Sequence, residues 1–248
     1  APGLRDVQRP HSASSHAVRA IVGAGRWVIQ ARPGYIDGMT PPRLLLCGFG
    51  SFPEAPLNPS AAVIATLARE MWSPPEVETD YLTLPVQWRG SVETILRQLQ
   101  ARPAQGVLVV GVAVGADSFR VETLGRNCAA TERPDQAGRI WDSCEINSAG
   151  PDLLPASAPC EAMLQAIERR ELAAVASDDA GDYLCNFTLY RLLQARAADQ
   201  IGFLHVPQAR ECASDAAFTL AQVQAAVCAA AEAFAADLSR RAAGRRTA

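Results

Sequence analysis

From position 43 onward, unbroken apolar runs alternate with segments whose apolar residues recur at helical spacing. The stretches "RLLLCGF" (43–49) and "GVLVVGVAVG" (106–115) carry no polar residue on either side of a period-two pattern beyond the opening arginine. A strand reads this way when both its faces are covered, as in a sheet sandwiched between helices. Between them, "PSAAVIATLAREM" has helical spacing, and Asn58-Pro59 supplies the cap and first-turn proline that start a helix. "VETDYLTLPV" then reads as strand and "SVETILRQLQAR" as helix; "SFRVETLGRN" alternates and reads as a further strand or hairpin arm. Residues 128–156 are loop-rich, followed by helix in "PCEAMLQAIERRE", strand in "LAAVAS", helix in "CNFTLYRLLQAR" and strand in "QIGFLHVP". A last helix places Phe218, Val223, Val227, Phe234 and Leu238 on one face. The expected fold class is α/β, a three-layer sandwich with a mostly parallel central sheet flanked by helices. In such folds reactive groups gather at the carboxyl ends of the strands.

Composition removes several chemistries. All 23 basic residues are arginine, so Schiff-base chemistry, a lysine base and a Walker-type phosphate loop are excluded together. A net charge of −3 offers no face-wide basic excess for nucleic acid. No apolar run reaches the ~20 residues of a membrane helix, so no membrane partner is expected. The seven cysteines (47, 128, 144, 160, 185, 212, 228) contain no Cys-x-x-Cys and fit neither a disulfide framework nor zinc-ligand spacing. They suit a reducing compartment, and a cytoplasmic location without a bound metal is the expectation. Residues 1–38, with five Arg and two acids, differ from the rest. They read as an N-terminal extension ahead of a start at Met39, leaving 39–248 as a single domain; the same balance resembles a transit peptide.

One segment joins strand and helix with a thiol at the junction: "SDDAGDYLCNFTLY", with Cys185 in the first turns of the helix. Free cysteines act mostly as small buried hydrophobes. A helix N-terminus, however, favours thiolate over thiol. His205 ends the strand "QIGFLHV", and both residues are expected to emerge at one edge of the sheet. A nucleophile needs a neighbouring base, and the base an orienting group. With His11 and His16 in the extension, a Cys–His pair has to use His205. A lone strand-end histidine also fits a structural role. The orienting carboxylate stays open among Glu122, Glu132, Asp135, Asp178 and Asp179.

Four stretches, "LLLCGFGSFPEAPLNPS", "VGVAVGADSFRVETLGRN", "SDDAGDYLCN" and "GFLHVP", occur in the order of the motifs of the pyroglutamyl peptidase I (pyrrolidone-carboxylate peptidase) family, which the chain resembles from about Arg43 to Arg240. That resemblance implies a Cys–His–Glu set that removes N-terminal pyroglutamate from peptides without a cofactor. By motif position Cys185 matches the nucleophile, His205 the base and Glu122 the orienting carboxylate. It further implies that Phe49 and Tyr183 flank the lactam ring while Phe52 helps close the pocket, and that the protein forms a homodimer or homotetramer. Asn58, in the first motif, borders this region and equally reads as a helix N-cap.

Two positions depart from the family pattern. Where the family places Gln in "GQAGG", this chain has Val112 in "GVAVG". A buried substrate donor or acceptor left unpaired there reduces discrimination. Where the family carries Arg two residues before Pro-Asp, "TERPDQAG" has Glu132, with Arg133 beside it as the candidate for the same positive charge. The leading expectation is a cysteine exopeptidase of the pyroglutamyl type. The alternatives are the same machinery on another small N-acyl or cyclic amide, separable by a panel of fluorogenic amides, or a catalytically silent binding homologue, which a thermal shift without turnover would reveal.

Overall fold

The computed structural model describes residues 40–245 and, ahead of them, 18–19 and 30–31. The latter are two short antiparallel strands, β1 (Val18–Arg19) and β2 (Gln30–Ala31). The rest of the expected extension, with His11, His16 and Met39, lies outside the described residues. From Pro41 the chain is a separate compact unit.

This unit is built on six strands: β3 (Arg43–Phe49), β4 (Glu78–Leu84), β5 (Gly106–Val112), β6 (Phe119–Glu122), β9 (Ala174–Ser177) and β10 (Gln200–Val206). They lie in the order β4-β3-β5-β10-β6-β9. The two apolar runs behave as double-faced strands. Leu44, Leu46, Leu108 and Val110 bury one face of the sheet, and Leu45, Cys47, Val107 and Val109 bury the other. Removing each such Leu or Val from water contributes roughly 1.5–3 kcal/mol. The first face is covered by α1 (Pro59–Arg69), α3 (Cys160–Glu168) and α5 (Leu220–Gly244), the second by α2 (Ser91–Ala101) and α4 (Leu184–Ala195). The result is the three-layer α/β sandwich that the alternation predicts.

Local chemistry sets the element ends. Asn58 caps α1, its Oδ1 accepting from Ser60 N at 3.0 Å, with Pro59 in the first turn. Thr219 and Gln222 form a capping box on α5. That cap places Phe218 just outside the helix, bridged to Ala209 and edge-on to Phe119 at 5.1 Å, whereas the spacing put it on the helical face. Val223, Val227, Phe234 and Leu238 are buried from α5 as expected. "SFRVETLGRN" divides at Thr123, whose N–H and hydroxyl both donate to Ser177 O (2.7 and 2.9 Å). Beyond it β7 (Leu124–Arg126) leaves the sheet to pair with β8 (Leu153–Pro155) inside the loop-rich region.

The sheet departs from expectation in one respect that matters for the site. β6 runs antiparallel to β10 and parallel to β9, so both oppose the other four strands. Ser177, the end of β9, is level with Glu122, and Glu122 with Phe203, the middle of β10. Cys185 therefore does not leave the sheet at the edge where His205 does, as the simple βα reading required. The chain turns back after β5, and residues 178–183 carry it from mid-sheet to α4. An apolar run encodes burial but not direction.

Candidate active site

His205, Phe203 and Ile201 alternate with Leu204 and Val206, so the imidazole points to the α2/α4 side of the sheet. On β6, Phe119 and Val121 face the opposite layer, which puts Arg120 and Glu122 on the same side as His205. Antiparallel pairing sets His205 opposite Arg120 and Phe203 opposite Glu122. His205 Nδ1 meets Glu122 Oε1 at 2.8 Å, with the carboxylate wholly buried. The other ring nitrogen is left for Cys185, which shares the wall of one cavity with His205 and whose charge acts on the imidazole. Of the five acids left open by the sequence, Glu122 alone meets His205. Asp135 accepts from Trp88, Ala137 and Arg139 N–H groups, Asp179 binds Gly181 N and Arg126, and Glu132 and Asp178 are exposed.

Cys185 is the second residue of α4, following Tyr183 at the N-cap position. The first helix-internal bond of α4 runs from Phe187 N to Tyr183 O (3.0 Å). The N–H groups before it, that of Cys185 included, stand outside the helical ladder and form the positive end of the dipole. Burial pulls the pKa of His205 down, but the charge and hydrogen bond of Cys185, then those of Glu122, carry it up to about 9. An imidazolium is thus the favoured form of His205 at neutral pH. Burial pushes the thiols of Cys47, Cys128, Cys160, Cys212 and Cys228 up.

The pair opens into a cavity of about 270 Å³ whose wall includes Phe49, Phe52, Asn58, Val112, Tyr183 and Arg133, so all the expected pocket residues converge. Phe49 is nearly buried and tilted against Phe203. Tyr183 packs edge-on to Trp88 at 5.1 Å, and its hydroxyl donates to Pro134 O at 2.9 Å. Burial, with Arg133 opposing, pushes that hydroxyl up to about 12, so it stays protonated. Arg133 lies 4.0 Å over the Tyr183 ring and pairs with Glu54 at 3.0 Å, and its neighbour Glu132 is exposed outside the cavity wall. Asn58 uses its carboxamide structurally: besides capping α1, its Nδ2 donates to Gly50 O at 2.9 Å. It thereby fixes the loop that carries Phe52.

Three residues not singled out in the sequence shape this site. Gly111, level with His205, has no room for a Cβ, which would fall 3.0 Å from Cys185 Sγ and 2.8 Å from Phe203 Cζ. Asn186 ties α4 to the strand before the loop, bonding Arg126 N and O (both 2.8 Å) and Cys128 O (2.9 Å). Arg120 follows from the period-two rule, two residues from Glu122 on one face of a strand. Among the described residues no three or more His, Cys, Asp or Glu side chains are grouped to hold a metal ion, and no helix is long and apolar enough to cross a membrane.

An α/β sandwich that joins a thiol at a helix N-terminus to an imidazole and a buried carboxylate has the makeup of a cysteine hydrolase. Comparison with known proteins narrows the class. The sequence profile of pyroglutamyl peptidase matches residues 42–237. The pyrrolidone-carboxylate peptidase of Deinococcus radiodurans is 33% identical over 171 residues, covering 67% of this chain and 78% of that protein. Its counterpart in Thermococcus onnurineus is 29% identical over 177 residues, covering 70% and 87%. A mutant pyrrolidone carboxyl peptidase from Pyrococcus furiosus superposes with a TM-score of 0.73 at 23% identity, over 79% of this chain and 99% of that one. The chain belongs to the pyroglutamyl peptidase family, a family of cysteine peptidases.

Proposed function

We propose that the protein is a cysteine exopeptidase that hydrolyses the bond between an N-terminal pyroglutamyl residue and the rest of a peptide. Residues 39–248 are its catalytic domain. The observation that carries this reading is the set Cys185–His205–Glu122, with Cys185 and His205 in the wall of a small, largely apolar cavity and Glu122 buried against His205 Nδ1. The Cys185 thiolate attacks the pyroglutamyl carbonyl carbon, and N–H groups at the start of α4 face the developing oxyanion, each worth ~3 kcal/mol. The imidazolium of His205, oriented by Glu122, passes its proton to the leaving amine as the C–N bond breaks. Water then loses a proton to His205, adds to the thioester carbonyl, and releases pyroglutamate and the thiolate. Phe49 and Tyr183 flank the flat lactam ring, Phe52 closes over it, and Arg133 lends positive charge to the wall. No step draws on a metal or cofactor. Seven free cysteines support a reducing compartment such as the cytoplasm.

The test is hydrolysis of a pyroglutamyl coumarin amide by the full chain beside Cys185→Ala. Turnover that disappears in the variant is expected. Equal turnover by both overturns the nucleophile, and none by a folded wild-type protein overturns the substrate. The apolar side chain of Val112 in the cavity wall favours, as the second reading, another small cyclic or N-acyl amide, which a panel of such amides would identify.

A further inference from the structure

We propose that Arg120 is a positioning residue of this site, holding the charge and orientation of Glu122 and tying it to the segment that delivers Cys185. The proposal rests on the reading of Cys185, His205 and Glu122 as a working set. Arg120 Nε stands 3.7 Å from Glu122 Oε1, the same oxygen that meets His205 Nδ1. That Nε is buried without a hydrogen-bond partner, as is Glu122 Oε2, so the guanidinium faces the carboxylate as a charge rather than as a bonded fork. Its Nη2 instead donates to Ser177 Oγ (2.9 Å) and Asp179 O (3.2 Å), both on the way from β9 to Cys185.

The charge balance gives this arrangement its consequence. Glu122 and a Cys185 thiolate bring two negative charges to a buried place where His205 supplies one positive charge. An unbalanced buried charge is costly. Arg120 restores neutrality while keeping its outer part in solvent. The other groups around it are few: Asp179, whose carboxylate is taken by Arg126 at 2.9 Å, the exposed Asp178 and Asp182, and Cys160, whose Sγ donates to Glu122 O at 3.7 Å. None supplies a second cation to Glu122. Without Arg120, the negative charges of Glu122 and a Cys185 thiolate lose the nearby cation that favours them.

The experiment reads the pH dependence of Cys185 alkylation by iodoacetamide, by peptide mass spectrometry, in the full chain and in Arg120→Met and Arg120→Lys. Arg120→Met is expected to move the alkylation midpoint up by about one pH unit, the scale of losing one nearby opposite charge. Arg120→Lys, which keeps the charge, is expected to stay near wild type. In turnover, Arg120→Met should lower kcat with little change in KM. A uniform loss of rate without a displaced midpoint, or Arg120→Lys displaced as far as Arg120→Met, overturns the proposal. Should Arg120→Met not fold, Ser177→Ala removes one anchor of Nη2 and should produce a smaller displacement in the same direction; none would overturn it. Alkylation needs no substrate, so a displaced midpoint in a protein that cleaves no pyroglutamyl amide supports Arg120 while refuting the proposed substrate.

Discussion

Glu122→Gln removes one charge from the site and almost no volume, and its consequence can be worked from the 2.8 Å contact with His205 Nδ1. At that distance two unit charges attract by about 6 kcal/mol in an effective dielectric of about 20. Desolvation of the buried carboxylate and the hydrogen bond an amide oxygen can still accept offset much of this. What remains is the worth of a charge-assisted hydrogen bond, roughly 3 kcal/mol, or about a hundredfold in rate. If the amide turns its NH2 to Nδ1, the ring carries its proton on the nitrogen that must accept from Cys185, and the loss approaches about ten-thousandfold. The expected result is a fall in kcat of about 10²–10⁴ with KM changed less than about threefold. The pH dependence of stability supplies a second readout. Burial opposes the charge on His205, so the contributions of Cys185 and Glu122 are what raise it from 6.5 to about 9. A group raised in this way stabilises the folded chain fully below about pH 6.5 and loses that effect as pH climbs through about 9. Glu122→Gln gives up part of it, so the gap in Tm between wild type and variant should narrow between pH 6.5 and 9. A variant with wild-type kcat, or a Tm gap that is flat across this window, would refute the assignment of Glu122 as the partner of a protonated His205.

Gly111→Ala should cost about 1–3 kcal/mol by overpacking Phe203, and lower kcat more than it raises KM because the new methyl displaces Cys185 Sγ; thermal melts and steady-state kinetics check both. Asn58→Ala removes the cap of α1 and the bond to Gly50 O, and a loss of about 1–2 kcal/mol should appear as a fall in Tm of about 3–6 °C, with kcat/KM reduced as the loop carrying Phe52 loosens. Val112→Gln puts an amide into the cavity wall and should lower KM for a pyroglutamyl amide by about tenfold, leaving the cyclopentanecarbonyl analogue, which lacks the lactam polar groups, unchanged; equal effects on both would show that the position does not read the lactam.

The layers and almost all elements were legible because burial on two faces leaves a mark in the residues themselves: "RLLLCGF" became β3 over the same seven positions. Asn58-Pro59 marked the start of α1 for a similar reason, since a cap is local chemistry. Strand direction was not legible. The apolar positions of "LAAVAS" fit an edge strand running either way, and the reversal of β6 and β9 is set by the turn after β5 and by pairing with β10, which no local pattern encodes. The same limit governed the carboxylate. Glu122 and His205 are 83 residues apart, and nothing near either residue separates Glu122 from Asp135 or Asp179, whose own roles in holding loops show only in three dimensions. Family motifs pointed to Glu122. The physical reason is that strand alternation puts Arg120 and Glu122 on the α4 side and antiparallel register sets them against His205 and Phe203. The reversal that defeated the simple βα reading is therefore what assembles the site. With β6 antiparallel to β10, the end of β6 sits at mid-sheet, deep enough to bury the carboxylate beneath the imidazole, while residues 178–183 return Cys185 to the other side of the ring.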